Sequence, residues 1–158
     1  MAFMNSINII GSGLTAQQLR LDVVSENITN SQTTRTENGG GAYRRKMVVF
    51  EEIGGRNTFR AALAQAALEQ KPVANTGVIP TAGGVRVAEI VEDEENPMKM
   101  VYDPTHPDAN EDGYLELPNV DMVMEMADAM AASRAFASNV TAFNTLKSVI
   151  SSGLEVGR

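Results

Sequence analysis

The sequence predicts an α+β fold: long N- and C-terminal helices pair as a coiled-coil-like core domain, with a small central β domain inserted between them. Three observations carry this expectation. A seven-residue apolar repeat runs over residues 3–28, a second runs over 122–154, and short β-branched stretches separated by Pro and Gly fill the middle. The helical assembly domain is expected to comprise residues 1–34 together with 119–158. The β-rich domain is expected over 35–118, with a helix near 57–71.

In the first repeat Ile7, Leu14, Leu21 and Ile28 fall seven apart, Phe3, Ile10 and Val24 form the flanking row, and Gln17 interrupts it. The stretch INIIGSGLTAQQL within it has the order of a dinucleotide-binding turn: an apolar run, close glycines, then a helix start. A strand–turn–helix would break register at Gly11–Gly13, whereas the repeat runs straight through. The region where a second strand should end in an acid reads TNSQTTRTENGGG, a loop. Nucleotide binding is therefore rejected in favour of one helix from about 3 to 29. Each interior glycine costs a helix about 1 kcal/mol relative to Ala, so this helix has a strong pattern, a weak propensity and a need for a partner. Asn27, Thr29, Asn30, Ser31, Thr33, Thr34 and Thr36, followed by Gly39–Gly41, read as a structured helix exit.

AYRRKMVVFEE (42–52) and VRVAEIVED (85–93) are predicted strands, and MKMVYD (98–103) and GYLEL (113–117) are shorter ones. NTFRAALAQAALEQK (57–71) is Ala-rich and predicted helical, and PVANTGVIPTAGG after it is irregular. In the last segment Asn119 is placed as the helix cap, with Asp121 in the first turn. Met122, Ala129, Phe136, Phe143 and Ile150 recur every seven residues, flanked by Met126, Val140 and Leu154, with Ser133 and Lys147 as interruptions. A helix from 120 to 154 is about 50 Å long at 1.5 Å per residue. The central strands are too small to cover such a seam, so the terminal helices should pair with each other and with other subunits. The expected assembly interface is the two rows just described, from Phe3 to Ile28 and from Met122 to Leu154.

The totals exclude several function classes. Among the 158 residues there is no Cys, hence no disulfide framework and no thiolate metal site. The net charge of −7 argues against general nucleic-acid affinity. No apolar run approaches the roughly 18–20 residues that span a bilayer, and MAFMNSINII lacks the features of a cleaved secretory leader. Nine Met and many Ala suit adaptable helix-packing surfaces. Asp108, Asn110, Asp112 and Gly113 match the first half of a calcium loop, but Asn119 stands where a bidentate Glu is required and Pro104, Pro107 and Pro118 exclude the flanking helices. The lone His106 has no partner for a triad, and Asp103 with Asp108 is a pairing that abundant surface acids predict by coincidence. No catalytic residue, cofactor, metal or small-molecule substrate is expected. Arg35, Arg44, Arg45 and Lys46 form a basic stretch, while residues 89–116 carry ten acids including Glu92, Asp93, Glu94 and Glu95. These are either two solvated faces or, in a polymer, patches that meet across subunits.

SGLTAQQLRLDVVSENITNSQTT resembles the N-terminal signature of the bacterial flagellar rod and hook axial proteins, a Ser-Gly-Leu helix ending in an Asn-rich box. YRRKMVVFEE, VYDPTHPDANEDGYLELPNVDMVMEM and ASRAFASNVTAFNTLKSVI are similar to the proximal-rod members of that family. Matching positions are Ser12, Gly13, Leu14, Asn27 and Asn30 near the start, and Asn119, Asp121, Ser133, Arg134, Asn139, Asn144 and Lys147 near the end. Phe136 and Thr29 stand where the family often has Tyr and Ala, and the segment from about 56 to 84 is longer than usual. The resemblance implies a non-enzymatic structural subunit of the basal-body rod, which crosses the periplasm and passes torque from the membrane ring to the hook. It implies export by the flagellar type III apparatus without a cleaved signal peptide. The implied partners are further copies, other rod proteins, the rod-base adaptor and the membrane ring. A different rod or hook-type subunit is the alternative within the family.

Overall fold

The computed structural model describes residues 2–36, 41–53 and 83–156. Helix α1 (Ala2–Thr29) is followed by strands β1 (Lys46–Glu52), β2 (Val85–Glu92), β3 (Lys99–Tyr102) and β4 (Tyr114–Leu117), and helix α2 (Met122–Val156) closes the chain. The expected helix at 57–71 lies outside the described residues. The two terminal helices flank a central β region, as the repeats and the β-branched stretches require.

The strands form two separate antiparallel pairs, β1 with β2 and β3 with β4. In the first, Lys46 faces Glu92 and Glu52 faces Val85, with a bulge between Val49 and Phe50. The second is a hairpin in which the rings of Tyr102 and Tyr114 meet edge to face at 5.3 Å. Its loop turns at Gly113, where φ is +80° and a Cβ would lie 3.0 Å from the Tyr102 ring. Only glycine suits both conditions.

The helices pack antiparallel. Gly13 of α1 lies against Asn139 of α2, Arg20 pairs with Asp128, and Asn27 bonds to Glu125. On α1 the buried line is Ala16, Val23, Val24 and Asn27. On α2 the packed row is Glu125, Ala132, Asn139 and Leu146, again seven apart, with Ala129, Phe136 and Ile150 half-buried beside it. This shifts the expected flanking row by one position. Met122, Met126, Val140 and Leu154 point outward, and Phe143 is 38% exposed. The reason is steric: Ala132 is fully buried, and its single methyl lets the two backbones approach where a Met would hold them apart. Ile7, Ile10, Leu14, Leu21 and Ile28 are half-buried along α1, and the side chain of Phe3 lies outside the description. The weak first helix thus finds one partner within its own chain.

The helix start also differs from expectation. Asp121, not Asn119, caps α2, its carboxylate accepting from the Val123 N–H at 2.9 Å. Asn119 is drawn instead into the β region.

Two substitutions in the helix pair should act in opposite directions. Ala132→Leu overfills the closest approach and should destabilise the chain by about 1–3 kcal/mol. Gly11→Ala adds a Cβ that meets nothing within 4 Å in a helix interior and should stabilise it by about 1 kcal/mol. Urea unfolding of the two variants measures both; equal midpoints would show that the helices do not pack this way.

Candidate assembly interface and the polar node beneath it

Where α1, β1 and α2 meet, the chain buries polar groups rather than apolar ones. Asn27 is 1% exposed and Glu125 is fully buried. The Asn27 side-chain amide behaves as a neighbouring peptide would. Its Oδ1 accepts from the Lys46 N–H at 2.9 Å, and its Nδ2 donates to the Lys46 carbonyl at 2.9 Å. The same Oδ1 accepts from the Tyr43 hydroxyl at 2.9 Å, and the same Nδ2 donates to Glu125 Oε2 at 3.0 Å. All four bonding positions of the amide are used. Glu125 is completed by the Arg45 guanidinium, whose Nε donates to Oε1 at 2.6 Å.

Asn119 repeats the device one strand-end away. Its Oδ1 accepts from the Arg45 N–H at 2.8 Å, and its Nδ2 donates to the carbonyls of Asp93 and Asn96 at 3.0 and 3.1 Å. The Asp93 carboxylate, itself 2% exposed, accepts from the side-chain and backbone N–H groups of Asn96. The Asn96 side chain holds Asp93 below the usual carboxylate range; burial opposes this, and the Asn96 backbone and Arg45 reinforce it. Burial, with Glu26, Glu125 and Glu92 nearby, pushes the Tyr43 phenol well above its ordinary range.

Other matched positions join separate parts of the chain. The Ser12 hydroxyl donates to the Ile9 carbonyl at 2.7 Å and accepts from the Val85 N–H at 3.1 Å, fastening the start of β2 to α1. Beside it Gly84 has φ +112°, and a Cβ there would collide with the Ser12 side chain. Asn30 donates to the Glu26 carbonyl and accepts from Thr33, shaping the helix exit. Thr34 and Arg35 hold Asp108 from the hairpin loop at 2.9 and 3.2 Å. In the same loop Asp103 takes Thr105, and Asn110 takes the N–H groups of Asp112 and Tyr114. His106 Nδ1 accepts from the Asp108 N–H. Asp103 serves the turn itself, and Asp108 ties the loop to the helix exit.

The expected charge contacts divide. Arg45 is engaged by Glu125 and Asp93, and Lys46 pairs with Glu26 within the chain. Arg45, Lys46 and Asp93, expected among the contacts between subunits, thus have charged partners within the chain. Arg44, Glu92, Glu94 and Glu95 remain exposed. Sequence reasoning had not singled out Glu125 or Tyr43. The available signal for Glu125 was an acid set between methionines in the apolar run MVMEM.

Above the node, α2 presents a second apolar flank to solvent. Met122, Met126, Met130 and Val140 are 37–56% exposed, while Ser133, Arg134, Asn144 and Lys147 are exposed beside them. With Met124 and Val123 also out, the first turns of α2 are apolar nearly all round, the pattern of a helix that is buried on more than one side.

Both ends of the chain match models of one protein family. Residues 7–35 match the model described as flagella basal body rod protein, and residues 111–156 the model described as flagellar basal body rod FlgEFG protein C-terminal. The flagellar basal-body rod protein FlgC of Bacillus subtilis is 40% identical over the whole of both chains. Its namesake from Borreliella burgdorferi is 41% identical over 99% of this chain and 98% of that one. That of Escherichia coli O6:H1 is 38% identical over the whole of both. The chain belongs to the FlgC family of flagellar basal-body rod proteins. The family's N-terminal model thus spans Ser12, Asn27 and Asn30, and its C-terminal model spans Asn119, Glu125 and Asn139.

Glu125→Ala should cost about 3 kcal/mol, because it removes the nearer carboxylate of Arg45 and leaves one donor of the buried Asn27 unpaired. Thermal unfolding followed by circular dichroism measures this, and a change below 1 kcal/mol would mean that the node contributes little. The pH dependence has a definite sign. A carboxyl held low in the folded state adds stability that is complete above its unfolded value near 4 and is lost as pH falls through the folded value. Asn96→Ala should therefore raise the Asp93 titration toward the ordinary range and move the acid-unfolding midpoint to higher pH. An unchanged midpoint would remove Asn96 from that role.

Proposed function

We propose that this chain is a structural, non-catalytic subunit of the proximal part of the flagellar rod, and that it polymerises through its terminal helices. The observation that carries this reading is the two-sided α2: its Ala flank packs on α1, and its Met flank has no cover within the described chain. An exposed row of this kind marks an interaction surface, and Met suits contact with partners of differing shape. Membership in a rod family supplies the kind of partner: further copies and the other rod proteins, with the rod-base adaptor and the membrane ring at its ends. The helical unit 1–34 with 119–158 forms the assembly domain, and 35–118 projects from it. The exposed Arg44 and the acids Glu92, Glu94 and Glu95 are candidates for contact across copies. Passing torque requires that the projecting part not swivel on the helices, and the Asn27–Glu125–Arg45 node supplies that rigidity. Export through the type III apparatus without a cleaved leader accords with a chain that has no Cys and a glycine-bearing first helix.

Met126→Asp tests this reading. The side chain is about half exposed, so the isolated chain should keep its stability to within about 0.5 kcal/mol. In an assembled rod the same carboxylate would be buried against a neighbour, at a cost of several kcal/mol while charged. Cells carrying only this variant should make and export the chain yet fail to swim. Normal motility would take the Met flank out of the interface.

A further inference from the structure

The β3–β4 hairpin turns one face into the chain and leaves the other bare. Successive strand residues alternate between faces, so the register puts Lys99, Val101, Leu115 and Leu117 on one side and Met100, Tyr102, Tyr114 and Glu116 on the other. Leu115 is buried and Lys99 Nζ donates to the Val120 carbonyl at 3.1 Å, which marks the first face as the inner one. On the outer face Met100 is 59% exposed, Tyr102 64% and Tyr114 44%.

Among the described residues the hairpin packs against neither helix nor the other strand pair. Its two tyrosines are fixed all the same: the rings meet edge to face at 5.3 Å, and Tyr102 lies over the turn at Gly113. Exposed aromatic and Met side chains held in place beforehand have the composition of an interface core and a low cost of ordering on binding. The surroundings are acidic. Glu116 stands in the face and Glu111 and Asp112 at its loop end, all three exposed and none paired with a cation among the described residues. Lys99, the single cation of residues 89–116, is turned to the inner side.

We propose that this outer face binds an arginine-bearing segment of a different protein. A guanidinium rests on the electron-rich face of a tyrosine ring while the unpaired carboxylates beside it accept its N–H groups; arginine serves both contacts better than lysine because it is planar and forked. Another copy of this chain is a poor occupant. The cations left free among the described residues are Arg44, Arg134 and Lys147. Arg134 and Lys147 stand about 20 Å apart along α2 at 1.5 Å per residue, whereas a four-residue strand is only about 13 Å long. Copies that each carry a net charge of −7 also repel one another. This surface does not involve the Met flank of α2, so either contact can fail without the other.

Photocrosslinking tests the assignment. Met100 is replaced in cells by the photoreactive p-benzoylphenylalanine, and isolated basal bodies are irradiated, digested and read by mass spectrometry. The adduct should fall on a peptide of another basal-body protein, with an arginine within a few residues of the joined position. Glu116→Lys should cut the adduct to about a tenth, and changing that arginine to Glu in the same cells should restore it. Because Glu116 is exposed, the circular dichroism of the purified Glu116→Lys chain should be unchanged. With the chain present in basal bodies at its normal level, an adduct to a further copy, an adduct to glycan, or no adduct overturns the proposal. An adduct whose yield Glu116→Lys leaves unchanged overturns it as well.

Discussion

The Asn27 side chain is the point on which the rest of the structure depends. It leaves the last full turn of α1 as a residue of a helix, yet it bonds to Lys46 with the donor and acceptor spacing of a peptide group. Through the same amide it reaches Tyr43 and Glu125, so one side chain joins α1, the approach to β1 and α2. Neither Asp, with no donor, nor Ala could do this. Because the amide and Glu125 are both buried, each must be satisfied, and this makes the junction specific as well as cohesive. Two helices held only by apolar rows could slide by a turn; a buried amide bonded on all sides does not permit it.

That constraint accounts for the asymmetry of α2. Once Glu125 is fastened to Asn27 and Arg45, the face one position away from the Met row is turned toward α1. Ala132 and Asn139 follow on the same line, and Gly13 supplies the close approach opposite Asn139. Met122, Met126 and Met130 are then directed to solvent in a single chain and remain available to a neighbour. The node, chosen for its polar chemistry, decides which apolar surface a polymer can use. The glycines that suggested a nucleotide turn fit this account separately: Gly13 is a contact point between helices, whereas Gly11 faces open space.

The elements themselves were legible. Apolar periodicity of seven and a break at the Asn/Thr cluster predict α1, and β-branched runs between prolines predict all four strands, because these patterns depend only on neighbours in sequence. The pairing of the two helices was legible in part. A repeat shows that a helix has an apolar row but not how wide the row is or which flank a given partner takes. The Met and Ala flanks of α2 overlap in such a pattern, and the choice between them rests on backbone approach distance. The in-chain partners of the charge patches were not legible for a related reason. Arg45, Lys46 and Asp93 read as surface charge because their partners, Glu125, Glu26 and Asn96, lie on other segments or behind a turn.

Sequence by itself determined the class of fold, the extent of both helices, the four strands and the family. Local propensity and spacing act over a few residues, and 32–41% identity to curated relatives extends along the whole chain. Only the tertiary structure decided that Asn119 serves the β region while Asp121 caps α2, and that Glu125 is buried. The placing of Asn119 and Glu125 depends on groups up to about a hundred residues apart being brought to about 3 Å, as Asn27 and Glu125 are. Hydrogen bonds and desolvation act at that distance in space, whatever the separation along the chain.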